Sequence, residues 1–588
     1  MRTSWVRLYA PFLVLALVQG LFIAVAPSRG GGDQALSTFG AGAPLEGGGG
    51  FDSSGDPISG AGDFDTGTFS GSGSSVGGSG ASVGGGAGGG GGGTSGGGGG
   101  NATGGTSGGG GGGGDVQAAQ GDTSHCTPEG QQFAIIRGGG PPCVPKWADG
   151  ADNGGATYKG VTAETIRVVY FSSEPNEQVN AVLRPQGLAT TEEENLAAAE
   201  AYTEFLNKHI ETYGRKIELV RVVGDCPTTP PDVDACIAAA QEVVKLQPFA
   251  VIWPTSLYAS VFDVWAKNGI IALGGNHFDE RFFSQRRPFR YDTFMDGTQS
   301  ADHIVEYYCK KLSGGNASHA GQLIHPQIGG RNTARKLGVI VPEIEANVLN
   351  AQRVAAQVKA CGGGDVPVLT YESDIERATE QTQATVSKLI AEKVTTVVCM
   401  CDPIAPAFLT AGLKSNRYIP EFLMPGLGLL DYDLLGRLYD PEIMAHAFGP
   451  SHLGLNVPLD DADQARAWRD VGREGHPCGN NGCGVLWSYY RMLGNGIHLA
   501  GPDLNPLSFE AALLERMPDY GGAPDLPLVV LAGGDYTAVD DAKEVYWSAT
   551  ARSSIDGQAG AYVPVANGKR YRLGQWPGGL EQIPVPAS

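Results

Sequence analysis

From residue 158 onward, short apolar runs alternate with longer stretches whose apolar side chains recur every three to four positions. Ile166–Phe171 is β-branched and aromatic and predicts a strand. Residues 192–212 then carry Leu196, Ala199, Thr203, Leu206 and Ile210 at helical spacing. Ile217–Val223, Phe249–Trp253 and Ile270–Leu273 predict further strands, with helices at 233–246 and 256–268 between them. Strands that alternate with helices so regularly imply a parallel sheet with crossover helices. The alternation then restarts. A helix at 297–312 leads to strand Leu337–Val341, helix 344–360, strand Val366–Thr370, helix 377–392 and strand Val394–Met400. Helix 404–415 and strands Glu421–Met424 and Met444–Phe448 complete a second α/β unit. Residues 461–517 read as helical, with Ser508 as the expected N-cap of the helix that ends at Met517. Short strands return at Leu528–Leu531, Lys543–Ala549 and Tyr571–Trp576, as if the chain goes back to complete both units.

The first fifth of the chain follows no such pattern. Nearly half of the 91 glycines fall there. A Gly/Ser run has too little apolar surface to offset its backbone entropy, so residues 28–121 are expected to be a disordered linker. Before it, residues 5–26 form an apolar run with Arg2 and Arg7 at its start and no acid before Asp33. Residues 1–27 are therefore expected to be an export signal, either a cleaved signal peptide or a transmembrane anchor that leaves the rest of the chain outside.

Ten cysteines agree with an oxidising compartment. Close spacing pairs Cys126 with Cys143, Cys226 with Cys236 and Cys478 with Cys483, and Cys309–Cys361 is a further candidate. Cys399 and Cys401 are two apart on a predicted strand and share a face, so a bond between them needs a kink. A net charge of −21 with a pI near 4.9, and no long Lys/Arg run, argue against a nucleic-acid partner. Motifs for metallopeptidase, P-loop or serine-hydrolase chemistry are absent outside the linker, which argues against an enzyme. His476-Pro-Cys478 with Cys483 reads as a disulfide-closed loop in preference to a metal corner. No cofactor or metal is expected.

In open parallel sheets, ligands bind beyond the carboxyl ends of the strands, where helix N-termini offer free N–H groups. That rule selects Thr255 and Ser256, then Gly275 and Asn276, as first-unit candidates. In the second unit it selects Glu343, Asp402 and Gly426. Hydroxyls and backbone N–H groups suit a carboxylate, and an acid across the cleft suits an ammonium. The combination describes an amino-acid-like small polar metabolite.

The order of these elements resembles the type I periplasmic solute-binding proteins of ABC importers, the branched-chain amino acid receptors in particular. The resemblance rests on Ile166–Phe171, the Asp225-Cys226-Pro227 turn, the Pro254-Thr255-Ser256 loop and the Gly275-Asn276 turn. It continues through Leu337–Val341, Trp487-Ser-Tyr-Tyr490 and Ser508–Met517, and covers about 70% of the chain. It implies a Venus-flytrap: two Rossmann-like α/β lobes with parallel sheets, joined by a three-crossing hinge and preceded by the apolar helix and the Gly-rich linker. Lobe I is then expected at 158–296 and 450–522, and lobe II at 297–449 and 523–576, with a tail at 577–588. The segment 122–157 is an extra cysteine-containing extension. The implied function is extracytoplasmic capture of a small molecule for an ABC-type permease, on the membrane or secreted. A membrane-tethered sensor acting through a signalling partner is the alternative, and an extracellular hydrolase a remote one.

Overall fold

The computed structural model describes residues 121–586 apart from 174, 228, 253–257, 276 and 581. The expected export segment, nearly all of the Gly-rich linker, and the candidates Thr255, Ser256 and Asn276 lie outside the described residues. Among the described residues no helix is long and apolar enough to cross a membrane.

The first sheet has five parallel strands: β1 (Thr165–Ser173), β2 (Lys216–Gly224), β3 (Ala250–Ile252), β4 (Ile271–Leu273) and β5 (Arg290–Tyr291), in the order β2-β1-β3-β4-β5. β1 is an interior strand buried along most of its length, which is why its sequence is rich in β-branched and aromatic residues, with Arg167 the one charged residue. Helix Glu192–His209 begins with a capping box, in which the Thr191 side chain accepts from the Glu194 amide and Glu194 reaches back. It buries Tyr202, Phe205 and Leu206 against Trp487 and Tyr490 of helix Gly484–Ala500. The extension also joins this core. Its Phe133 meets Phe205 edge-on at 5.4 Å, and Ile136 is buried in the same cluster.

A small hairpin, β6 (Leu323–His325) with β7 (Gly329–Gly330), precedes the second sheet. That sheet contains β8 (Leu337–Pro342), β9 (Val368–Tyr371), β10 (Thr396–Cys399), β11 (Glu421–Leu423), β12 (Ala447–Ser451), β13 (Asp541–Arg552) and β14 (Ala559–Pro564), with β15 (Arg570–Arg572) beside β13. β8 to β12 pair in parallel, and the late strands add antiparallel at the β12 edge. Between its strands Glu421 is completely buried, yet it is satisfied by Arg335 at 2.7 and 2.8 Å and by the Thr396 hydroxyl at 2.6 Å. The chain passes between the sheets three times: after β5, after β12 and before β13.

Several local expectations change. Leu528–Leu531 forms no strand and makes only isolated bridges through Val529. The strand expected at Tyr571–Trp576 is the short β15, and Trp576 is a core side chain packed on Tyr307 at 5.2 Å. Ser508 is not an N-cap. Asn505 caps that helix, Pro506 opens it, and Ser508 closes the capping box from the third helical position. All ten cysteines are paired, as Cys126–Cys143, Cys226–Cys236, Cys309–Cys361, Cys399–Cys401 and Cys478–Cys483. The Cys399–Cys401 bond is accommodated because β10 stops at Cys399. The two Cα atoms are 5.0 Å apart, well short of the roughly 6.6 Å that two extended residues span.

Candidate functional site

Between the two sheets lies a cavity of about 970 Å³, at the carboxyl ends of their strands. Ser172 and Ser173 close it from β1, Pro342 from β8, Met400 to Asp402 from β10, and His452 from β12. Much of the wall is apolar: Phe294, Ile340, Phe408, Leu427, Leu455 and Tyr489 all face it.

Both rims are bridged by contacts between the lobes. On one side Asn350, from helix Glu345–Ala360, donates to the His277 carbonyl at 3.0 Å. On the other, the Ile375 amide donates to the Thr229 hydroxyl at 3.1 Å, and Gln178 donates to Glu376 at 3.0 Å. A strap between β1 and helix Glu192–His209 crosses this mouth. It contains helix Glu177–Leu183, capped by Asn176, whose side chain accepts from the amides of Gln178 and Val179. Leu183 and Leu188 of the strap pack into the core of the second lobe. The loop closed by Cys478–Cys483 holds the strap by its backbone: Asn480 donates to the Gln186 carbonyl at 2.9 Å, and Asn481 to that of Leu188 at 3.3 Å. Tyr432 of the second lobe donates to the Asn480 carbonyl at 3.3 Å.

Most of the described charged side chains on the wall are engaged. Glu192 accepts from Ser172 at 2.7 Å and from Arg221 at 3.1 Å. One Asp402 oxygen accepts from the amides of Ile404 and Ala405 at 2.9 and 3.0 Å, and the other accepts from Tyr371 at 2.6 Å. Arg137, from the extension, pairs with Asp463 at 3.4 Å and stands 3.9 Å from Asp525. Tyr489 donates to Asp292 at 3.1 Å, and burial lifts the Asp292 carboxyl to about 7.

Among the described residues, four polar groups on the wall are left over. The Ser173 hydroxyl, the Asn347 carbonyl oxygen and Nη1 of Arg137 are buried without a hydrogen-bond partner there. No described group hydrogen-bonds the ring of His452, which is only 3% exposed. Burial, with Arg570 and Lys543 nearby, holds its imidazole down at about 3, so it is neutral at ordinary pH.

Of the residues selected from sequence, Asp402 lines the cavity. Glu343 is exposed, and its amide donates to Tyr371 at 2.7 Å. Gly275 has φ +92°, and a Cβ there would sit 3.0–3.1 Å from Phe278, Arg290 and Phe262. Its conformation and its neighbours both favour glycine, in a packing role. Gly426, at φ +68°, turns the chain beneath the Pro450 carbonyl, 3.2 Å from where a Cβ would be. Neither glycine is on the cavity wall, whereas Leu427 and Gly428 are. Ser173, Asn347 and His452 were not singled out in the sequence. The strand-end rule reaches Ser173 and His452 once the ends of β1 and β12 are known. Asn347 would follow from the first turn of the helix after β8.

No family model matches the chain, and no curated protein matches it. Among solved structures it is similar to a solute-binding protein of an ABC transporter from R. palustris in complex with 4-hydroxybenzoate. The identity is 12% and the TM-score 0.50, over 70% of this chain and 97% of that one. It is also similar to a branched-chain amino acid transporter substrate-binding protein from Streptococcus pneumoniae in complex with isoleucine. There the identity is 13% and the TM-score 0.45, over 68% of this chain and all of that one. At such identities the likeness is one of fold, and the chain has the fold of the type I periplasmic solute-binding proteins of ABC transporters.

Proposed function

We propose that this chain is an extracytoplasmic solute-binding protein that traps a small molecule between its lobes and hands it to an ABC-type permease, without catalysing a reaction on it. The observation that carries the reading is the cavity of about 970 Å³ walled by both sheets at their strand ends, with lobe-to-lobe hydrogen bonds on both rims. A ligand touching both walls gains its full set of contacts only when the lobes are together, so binding draws an open–closed equilibrium toward closure. The absence of hydrolase and metallopeptidase motifs outside the Gly-rich linker supports a binding role, as does the full engagement of Asp402 and Glu192.

The test is a thermal-shift screen with amino acids, benzoates, fatty acids and their neutral analogues. A true ligand at 100 times its dissociation constant is expected to stabilise the protein by about 2.7 kcal/mol. Small-angle scattering of the same sample should show a smaller radius of gyration with ligand than without. A ligand that raises the melting temperature and leaves the radius unchanged contradicts the trap.

A further inference from the structure

We propose that Arg137, which the cysteine-containing extension places on the cavity wall, is the residue that takes a carboxylate of the bound ligand. The inference rests on the receptor reading above and names a chemical group of its ligand, one that an organic anion and a zwitterion share.

The first argument is how the guanidinium is held. The turn that presents it is closed by the Gly139 amide, which donates to the Ile136 carbonyl at 3.1 Å. Ile136 is buried in the first core, and the Cys126–Cys143 bond closes the loop that contains the turn. Arg491 donates to the Gly139 carbonyl at 3.2 Å, and the Arg137 amide donates to Asp463 at 2.8 Å. Gly138, at φ +74°, packs so closely that a Cβ there would lie 2.8 Å from Leu526, itself a wall residue. The extension thus presents a positive charge from an anchored backbone, which lowers the ordering cost of binding.

The second argument is what the guanidinium leaves free. Nε donates to Asp463, and at 3.4 Å that bond is long. Nη1 is buried without a hydrogen-bond partner and stands 3.9 Å from Asp525, and no described group hydrogen-bonds Nη2. The two terminal nitrogens of an arginine match the two oxygens of a carboxylate. A buried donor without an acceptor is costly, and an oxygen supplied by a ligand removes that cost. Arg137 is the one Lys or Arg among the described wall residues, and none of the undescribed residues 174, 228, 253–257 and 276 is a Lys or Arg. The wall acids Glu192, Glu372 and Asp402 are spent on partners of their own. Asp525 differs. Its carboxylate is half exposed and accepts no hydrogen bond from a described group, so a ligand ammonium beside Arg137 would find its counter-charge there.

The experiment uses the full chain and three acids, each with its primary amide: 4-hydroxybenzoate, hexanoate and leucine. Affinities are measured by calorimetry and melting temperature. At least one acid is expected to bind saturably and more tightly than its amide. Arg137→Gln should weaken that acid about tenfold or more, leave the affinity for the amide unchanged, and still unfold cooperatively. Arg137→Lys should recover part of the loss. Asp525→Asn separates the two sources of the carboxylate, because it weakens a zwitterion through its ammonium and does not weaken a plain anion. An acid that binds Arg137→Gln as tightly as the parent overturns the proposal, as does an amide that binds the parent as tightly as its acid. In both cases the receptor reading stands. An equal loss of acid and amide affinity in Arg137→Gln means that the side chain only supports the wall, and also overturns the proposal. If no acid binds, the proposal fails, and the receptor reading then rests on the wider screen described above.

Discussion

His452 and Asp402 are both polar residues on the cavity wall, and their surroundings give them opposite roles. Asp402 spends both oxygens on Tyr371 and on the amides that open helix Ala405–Ser415. Burial, reinforced by the neighbouring carboxylate, pushes the Tyr371 hydroxyl well above its usual range, so it remains a proton donor to Asp402. Asp402→Ala is therefore expected to cost about 1 kcal/mol, as loss of a helix cap does, read as a lowered urea midpoint with an unchanged slope. For His452 the sign is the reverse of a salt-bridged histidine. Its folded value is about 3 and its unfolded value about 6.5. Between those limits the unfolded chain takes up a proton that the folded one refuses, so stability falls as pH drops from 6.5 toward 3. His452→Gln removes this contribution, while the similarly buried His303 and His498, held at about 4, keep theirs. The variant's urea midpoint should fall less than the parent's between pH 7 and pH 4.5. An equal fall would mean that the ring at 452 accepts a proton in the folded state.

At the level of elements, the strap and its clasp tie the lobes together. The Cys478–Cys483 loop presents Asn480 and Asn481 to the strap backbone, while Leu183 and Leu188 anchor the strap in the second lobe's core. Replacing both cysteines by serine frees that loop and weakens two hydrogen bonds, each worth about 1 kcal/mol. Amide hydrogen exchange across 180–188 is then expected to accelerate about tenfold, with the Leu206 region unchanged. If protection in the strap persists, the two leucines alone hold it. The sequence shows why this element was hard to anticipate. Residues 174–191 carry no long apolar period, and a helix of seven residues, Glu177–Leu183, buries none of its side chains fully. Its conformation is held by a cap and by residues 294 and 293 positions away. The long elements were legible because their signal is local. Helix Glu192–His209 announces itself by its spacing, and β1 by the β-branched and aromatic residues of Ile166–Phe171. The short strands were less so. β15 has three residues, and the antiparallel β14 follows a turn that the pattern did not mark.

For the molecule as a whole, periodicity in the chain determined that there would be two α/β units in series. An apolar stripe every 3.6 residues or an unbroken β-branched run can be buried in few ways, and regular alternation leaves a parallel sheet with crossover helices as the economical one. Cysteine spacing likewise determined three disulfides, because short loops close with little entropic cost. The tertiary structure alone decided the rest. It sent the late strands β13 to β15 to the edge of the second sheet, and it bent the chain after β10 so that Cys399 could reach Cys401. It also decided which polar groups at the strand ends are spent and which are idle. Whether a hydrogen bond is satisfied depends on partners brought from distant parts of the chain, as Asn480 is to Gln186, and no local pattern carries that information.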